Sequence, residues 1–333
     1  MKNRVLETIK KYDLIKSGDK IILAVSGGPD SIFMFDILYK LKNELNFEFA
    51  VCHVNHMIRE EAIDDENYVK SMCEKYKIEC YLKRIDVIDY ANNNKIGTEE
   101  AGRIIRYNFF EEIANKTNSN KIAIAHNKND KAETIIMNLL RGTGTLGLKG
   151  IEPIRDNRYI RPIIEIDRKD IENYCKEQNL NPRIDKTNFE NEYTRNKIRN
   201  IVIPYIEKEF NPNIIESLNR LSEIATEEDN YLNIVTENTY QSIKIEENKD
   251  EIVLDLKEFN TLDMVIKKRI ILYTINKIMG SCNGIEKIHI EDIIKLCKNN
   301  IGNKYLTPNK NIKVMVNKGK IFVQLQKNYW KKH

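Results

Sequence analysis

Through the first ~185 residues, short apolar runs alternate with stretches of helical period. Lys20–Val25 (KIILAV) reads as a buried strand, and Asp30–Leu45 carries apolar residues at helical spacing. Phe47–Val54 predicts a second strand, Glu60–Tyr76 a helix and Ile78–Val87 a third strand. Thr98–Asn115 predicts a helix with Thr98 as its N-cap. Lys121–Ala125 is a fourth strand, and Asn129–Leu140 the helix after it. The alternation predicts an α/β fold, a doubly wound parallel sheet with helices on both faces.

From about Asp167 the pattern becomes mainly helical, over Asp167–Gln178, Arg195–Glu207 and the long acidic segment Asn213–Glu237. Pro212 disfavours a helical predecessor, so the domain boundary is expected near Phe210-Asn211-Pro212, giving domains 1–210 and 211–333. The second domain reads as smaller and mixed α+β. Its expected helices are Leu262–Met279 and Ile288–Lys298. Its expected strands are Lys304–Thr307, Ile312–Val316 and Lys320–Leu325, with a turn at Asn317-Lys318-Gly319.

Hydrophobic residues make up 41% and charged residues 31% of the 333, the profile of a globular chain. No run approaches the ~20 apolar residues of a membrane helix. The start, MKNRVLETIKKYDLI, lacks the apolar core of a secretion signal. A cytoplasmic protein is the default, with no membrane partner. The six cysteines form no C-x-x-C pair, which argues against zinc, iron–sulfur or dithiol chemistry and for small buried side chains. Net charge is only +4, but eight lysines and no acidic residue lie between Ile301 and His333, after an acidic stretch from Thr226 to Glu258. That asymmetry suits an anion-binding face and equally a solvated lysine-rich surface.

The strongest local feature is Ser26-Gly27-Gly28-Pro29-Asp30-Ser31, between a buried strand and a helix. Gly27 and Gly28 allow close backbone approach and positive φ. Amides at the helix start point at an anion with the macrodipole behind them. Pro29 suits the first turn, where its missing N–H costs nothing. Asp30 makes sense facing Mg²⁺, which bridges phosphates through oxygen ligands. The loop is neither a Walker A loop nor a Rossmann fingerprint. It resembles the SGGxDS loop of the PP-loop pyrophosphatase superfamily, whose members cut ATP between the α and β phosphates and transfer AMP to an acceptor. That resemblance implies an adenine nucleotide α-hydrolase-like sheet.

Further segments resemble one branch, the tRNA(Ile)-lysidine synthases. His53-Val54-Asn55-His56-Met57-Ile58-Arg59 is similar to the family's HVxHxxR segment, and Glu100-Ala101-Gly102-Arg103-Ile104-Ile105-Arg106-Tyr107 to its E-A-x-R-x-x-R-Y segment. Arg103 and Arg106, three apart, share a helix face that could clamp phosphate or carboxylate. Ala125-His126 through Glu133-Thr134 is similar to A-H-x-x-x-D-x-x-E-T, and Arg141 to Gly150 to a glycine-rich RGxGxxGLxG loop that could close over the site. Arg161-Pro162, Asp185-Lys186-Thr187-Asn188 and Arg195-Asn196-Lys197-Ile198-Arg199 are similar to the R-P-L, D-x-[ST]-N and R-N-x-I-R elements. Alone, His53 and His56 also fit structural histidines at a strand end, Asp130 and Glu133 a helix's first turn, and Arg103 with Arg106 and Arg195 with Arg199 solvated helix faces. Asn55, Met57, Asn127 and Asn129 depart from the commonest family pattern.

The resemblance implies ATP and Mg²⁺ as cofactors. Ala24, Ser26, Gly27, Gly28, Pro29, Asp30, Ser31 and His53 would hold ATP, with Asp30 on the metal. Asp30, Ser31, Arg103, Arg106 and His126 would be catalytic. Asp130 and Glu133 would bind lysine, and Arg141, Arg195 and Arg199 tRNA. The implied partners are L-lysine and an isoleucine tRNA with a CAU anticodon, with a homodimer left open. Forms with a longer C-terminus carry a second C-terminal domain, before which this chain is expected to end. The rival readings are a tRNA thiolase, which needs a cysteine set, an amidotransferase-type synthetase, which needs an ammonia supply, and a non-catalytic RNA-binding protein.

Overall fold

Each apolar run of the first half becomes a strand of one sheet, and each helical stretch covers one of its faces. In the computed structural model, residues 1–57, 62–183, 193–299 and 304–326 are described. Arg59 and Asp185-Lys186-Thr187-Asn188 lie outside them. The chain divides into two units, Met1–Ala225 and Thr226–His333.

The first unit begins with α1 (Lys2–Lys11), β1 (Lys20–Ala24), α2 (Pro29–Leu45), β2 (Glu48–Asn55), α3 (Ala62–Tyr76) and β3 (Cys80–Arg84). Then come α4 (Val87–Asn94), α5 (Thr98–Lys116), β4 (Lys121–Ile124), α6 (Lys128–Leu140), α7 (Gly144–Leu148), β5 (Ile154–Arg155), β6 (Tyr159–Ile160) and α8 (Arg168–Glu177). It continues through α9 (Thr194–Lys197), a π turn (Ile198–Val202), α10 (Ile203–Glu209) and the start of α11 (Ile214–Ile243). The sheet order is β3-β2-β1-β4-β6-β5, parallel except for the β5 edge. Ile21 and Leu23 point into a core with Phe33, Phe35 and Val51, while Ile22 points to the other face against Phe109, Phe110 and Ile122. Apolar cover on both faces is why these strands read as continuous hydrophobic runs.

Several boundaries differ from the sequence pattern. Gly97, not Thr98, is the N-cap of α5, and Thr98 is its first residue. The expected third strand stops at Arg84, because Asp86 caps α4 by accepting from the Asp89 amide. The helix expected over Arg195–Glu207 is interrupted by the π turn. Helix α11 runs on to Ile243, past the expected Glu237. The division of the chain falls inside α11 rather than near Pro212. The first turns of α11 belong to the first unit through Asn219, which donates to the Lys128 carbonyl (3.1 Å), and Ser222, which donates to that of Lys149 (2.6 Å).

The glycine-rich segment after α6 is tied back onto that helix. Asn138 Nδ2 donates to the Gly147 carbonyl (2.9 Å). Gly150 has φ +62°, and a Cβ there would lie 2.8 Å from Ile135 Cγ1 and 3.3 Å from the Lys131 carbonyl.

The second unit contains β7 (Lys244–Glu247), β8 (Glu251–Asp255), α12 (Leu256–Thr261), α13 (Met264–Met279), α14 (Lys287–Asn299), β9 (Tyr305–Asn309), β10 (Ile312–Asn317) and β11 (Lys320–Leu325). Its antiparallel sheet runs β7-β8-β11-β10-β9. Ile312, Val314 and Val316 alternate inward onto the helices, as period-2 patterning requires. Lys318 and Gly319 both take positive φ, the type I′ geometry of a two-residue hairpin. The pair β7–β8 and α12 escape the sequence pattern, β7 because Lys244–Glu247 shows almost no apolar alternation. The lysine-rich end from Ile301 lies partly outside the described residues. All six cysteines are free, and Cys52, Cys73, Cys175 and Cys297 are buried as expected.

Gly150→Ala combines left-handed backbone with a steric overlap and is expected to destabilise the first unit by about 2 kcal/mol or more. Urea unfolding, followed by hydrogen exchange of the α6 amides, checks this. Unchanged protection would mean that the segment does not dock on α6.

Candidate active site

The carboxyl ends of β1, β2 and β4 meet the amino ends of α2 and α6, the place where open α/β sheets bind ligands. Gly28 is the N-cap of α2 with no side-chain cap, and Pro29 occupies the first turn. First-turn amides of α2 therefore remain available to an anion. Gly27 takes φ +94°, which strains any side chain there, although a Cβ would make only ordinary contacts, 3.7 Å from Val69 Cγ2 and 3.8 Å from Asp65. Ser31 Oγ organises the loop. It accepts from the Ser26 and Gly27 amides (both 3.2 Å), donates to the Gly28 carbonyl (3.0 Å) and lies 3.2 Å from Ser26 Oγ.

Asp30 Oδ1 accepts from Asn127 Nδ2 (2.8 Å). Burial, reinforced by the charge of Asp130, pushes its pKa up to about 6 against the pull of Arg168 and of the Asn127 bond. Asn127 is fully buried and also closes a capping box. Its Oδ1 accepts from the Asp130 amide (2.9 Å), and its own amide donates to Asp130 Oδ2 (3.0 Å). One asparagine thus ties the phosphate loop to the start of α6.

Asp130 and Glu133 are buried, and three arginines hold them. Arg168 reaches Asp130 Oδ1 (3.0 Å) and Glu133 Oε1 (3.1 Å). Arg195 reaches Glu133 Oε2 (2.9 Å), and Arg199 reaches Glu133 Oε1 (2.7 Å) and Asp130 Oδ1 (3.1 Å). Burial alone would raise the pKa of Asp130, but Arg195 and Arg168 hold it below the usual carboxylate value. The residues expected to bind lysine and two of those expected to bind tRNA are therefore a single ion cluster. Arg141, at the C-cap of α6, stands at the other end of a 13-residue helix, roughly 20 Å away at 1.5 Å per residue.

Two histidines face the site in defined tautomers. His53 Nδ1 lies 2.9 Å from the Val25 carbonyl and must donate to it, leaving Nε2 buried and without a partner among the described residues. Burial lowers its pKa despite that bond. Arg161 Nε donates to His126 Nδ1 (3.1 Å), so the His126 proton sits on Nε2. Burial outweighs Asp130, and with the charges of Arg161 and Arg195 the His126 pKa falls to about 4. His56 falls to about 4 as well, through burial, then Arg106 and His53. Arg106 keeps solvent access yet is crowded enough by protein to have its pKa lowered. It has no ion pair among the described residues. Arg103 lies over the Tyr107 ring (5.5 Å).

Asn127, Arg161 and Arg168 were not among the expected site residues. Asn127 stood out in the sequence as a departure from the family pattern, and Arg161 opened the R-P segment. Arg168 carried no signal of its own, since it is placed by contacts distant in sequence.

Residues 1–206 match the family model described as a PP-loop domain. The chain is 47% identical over 329 residues to the tRNA(Ile)-lysidine synthase of Clostridium acetobutylicum, covering 98% of this chain and 71% of that one. It is 44% identical over 322 residues to the enzyme of the same name from Clostridioides difficile, covering 96% and 70%. A U34-tRNA thiolase from Methanococcus maripaludis, 20% identical, shares the fold with a TM-score of 0.56 over 68% of this chain and 78% of that one. Among the described residues no helix is long and apolar enough to cross a membrane. By its PP-loop domain and its likeness to these relatives over most of both lengths, the chain belongs to the tRNA(Ile)-lysidine synthases, ATP-using ligases of the PP-loop group.

Proposed function

We propose that the chain ligates L-lysine to C2 of the wobble cytidine of a CAU-anticodon isoleucine tRNA in the cytoplasm, through an adenylated cytidine. The observation that carries this reading is the uncapped start of α2 beside Asp30 and the arginine-rich cluster, in a chain 47% identical to an enzyme of that name. ATP lies along Ala24 to Ser31 with its phosphates on the first-turn amides of α2. The bare His53 Nε2 accepts a hydrogen bond from an amino or hydroxyl group of the nucleoside. The cytidine, unstacked from its loop, presents its C2 oxygen to the α-phosphorus. That P–O bond forms as the bond to the bridging oxygen breaks, and pyrophosphate leaves. The ε-amine of lysine then adds to C2, loses a proton and displaces AMP.

A Mg²⁺ ion fits the donor set. Asp30 has a carboxylate oxygen that Asn127 does not use, and the remaining ligands would be phosphate oxygens and water, as this ion prefers. Among the described residues no cluster of three or more His, Cys, Asp or Glu forms an all-protein metal cage. When bound, the ion neutralises phosphate charge. Arg103 and Arg106, with no ion pair among the described residues, are assigned to stabilising the phosphoryl group in transfer or to meeting tRNA phosphates. Arg141, exposed at the far end of α6, is assigned to tRNA alone. His126 orients rather than deprotonates. Its Nε2 carries the proton and its Nδ1 lone pair is held by Arg161, so it serves as a neutral donor. The lysine ammonium is assigned to Asp130 and Glu133, which it reaches by displacing one of the three guanidiniums.

Labelled lysine should enter an isoleucine transcript bearing CAU, with ATP and Mg²⁺, and not a methionine transcript. Ser31→Ala, which unties the loop, should lower incorporation at least about tenfold. AMP release with other tRNAs and no lysine transfer would keep the ATP chemistry and discard the lysidine product. Asp130→Asn should raise the KM for lysine about tenfold or more while moving the KM for ATP less. Equal rises in both would make the carboxylate a structural clamp and remove the lysine assignment.

His126→Gln should reduce kcat about tenfold without changing the shape of its pH profile between about pH 5 and about pH 8, because the imidazole stays neutral there. An acidic limb that vanishes in the variant would return His126 to the role of a base.

A further inference from the structure

The phosphate loop carries no cation of its own. Between Ser26 and Ser31 the one charged side chain is the carboxylate of Asp30. Arg168, Arg195 and Arg199 are engaged by Asp130 and Glu133. Departing pyrophosphate gains negative charge at the moment of bond cleavage, and phosphoryl-transfer sites answer that charge with arginine or lysine.

The chain after α8 runs directly onto this loop. The Arg183 amide donates to the Gly27 carbonyl (2.9 Å), and the Arg183 carbonyl lies 3.9 Å from the position a Gly28 Cβ would take. Two contacts anchor the chain ahead of Arg183. Tyr68 Oη donates to the Leu180 carbonyl, and Cys175 Sγ lies 3.8 Å from that of Pro29. Pro182 restricts the backbone just before the contact. The Arg183 side chain is exposed and has no hydrogen bond or ion pair among the described residues. An arginine whose backbone is fixed to a phosphate loop, and whose exposed guanidinium has no hydrogen bond or ion pair among the described residues, is available to a ligand.

We propose that Arg183 holds the β- and γ-phosphates of ATP and the pyrophosphate they become, supplying the cationic charge that the loop lacks. This rests on the reading of Ser26–Ser31 as the ATP site. It makes Arg183 a contact to the leaving group rather than to the adenosine or the α-phosphate.

The test measures binding of pyrophosphate, ATP and AMP, each with Mg²⁺, by titration calorimetry on the full chain. Wild type, Arg183→Ala, Arg183→Lys and Ser31→Ala are compared, with thermal melts to verify folding. Arg183→Ala should bind pyrophosphate and ATP at least about tenfold more weakly and AMP within about twofold of wild type, with Arg183→Lys between. Pyrophosphate binding unchanged in Arg183→Ala, while Ser31→Ala loses it, overturns the role of Arg183 and leaves the loop assignment standing. Equal weakening of AMP and ATP also overturns it, since that marks a structural contact. Wild type that binds neither ATP nor pyrophosphate removes the loop assignment, and the inference with it.

Discussion

The first unit depends on a desolvation problem at the start of α6. Asp130 and Glu133 are buried where the sheet ends, and a buried carboxylate is costly unless paired and hydrogen-bonded. Three guanidiniums from two other segments answer that cost. Arg168 opens α8, Arg195 lies in α9 and Arg199 in the π turn, so neutralising two acids pins three elements to a fourth. Removing one partner would strand charge in a low-dielectric setting, typically a loss of about 3–5 kcal/mol. Both arginines of the last segment reach Glu133, and the wider π turn begins between them. Such bulges recur where a helix must present groups to a site.

The same cluster sets the electrostatics of the cleft. Three positive charges on two negative ones leave an excess that suits phosphate, and Arg195 of the cluster, with Arg161 and Arg106 outside it, helps burial keep His126 neutral. Asp130 in turn raises the proton affinity of Asp30, and Asn127 links the two through one buried amide. The loop, the cluster and His126 are therefore one coupled unit. On the proposed reading, a site that activates an α-phosphate and then receives an amine would draw on both parts: positive surroundings for the phosphates and two carboxylates for the ammonium.

Much of this organisation was legible in the sequence where the signal is local. Strand–helix alternation follows from burial on both faces of a parallel sheet, and the first four strands fell close to their expected places. The loop from Ser26 to Ser31 was readable because glycine, proline and helix-start chemistry act within six consecutive residues. Edges were less readable. Asp86 turned the end of an apolar run into a helix cap, and Gly97 took the cap expected of Thr98. Lys244–Glu247 joined a sheet by backbone pairing with β8 rather than by pattern.

What the sequence determined by itself was the fold class, the phosphate loop and the family, since propensity, periodicity and ordered motifs are properties of neighbouring residues. What the tertiary structure decided was who pairs with whom. No spacing shows that Arg195 and Arg199 meet Glu133 across more than sixty positions, at 62 and 66 residues' separation. Nor does any spacing show that Asn127 meets Asp30, or that the Arg183 amide meets the Gly27 carbonyl. Ion pairs and tautomers are settled by burial and by the partners that burial leaves available, and those exist only once distant segments are brought together.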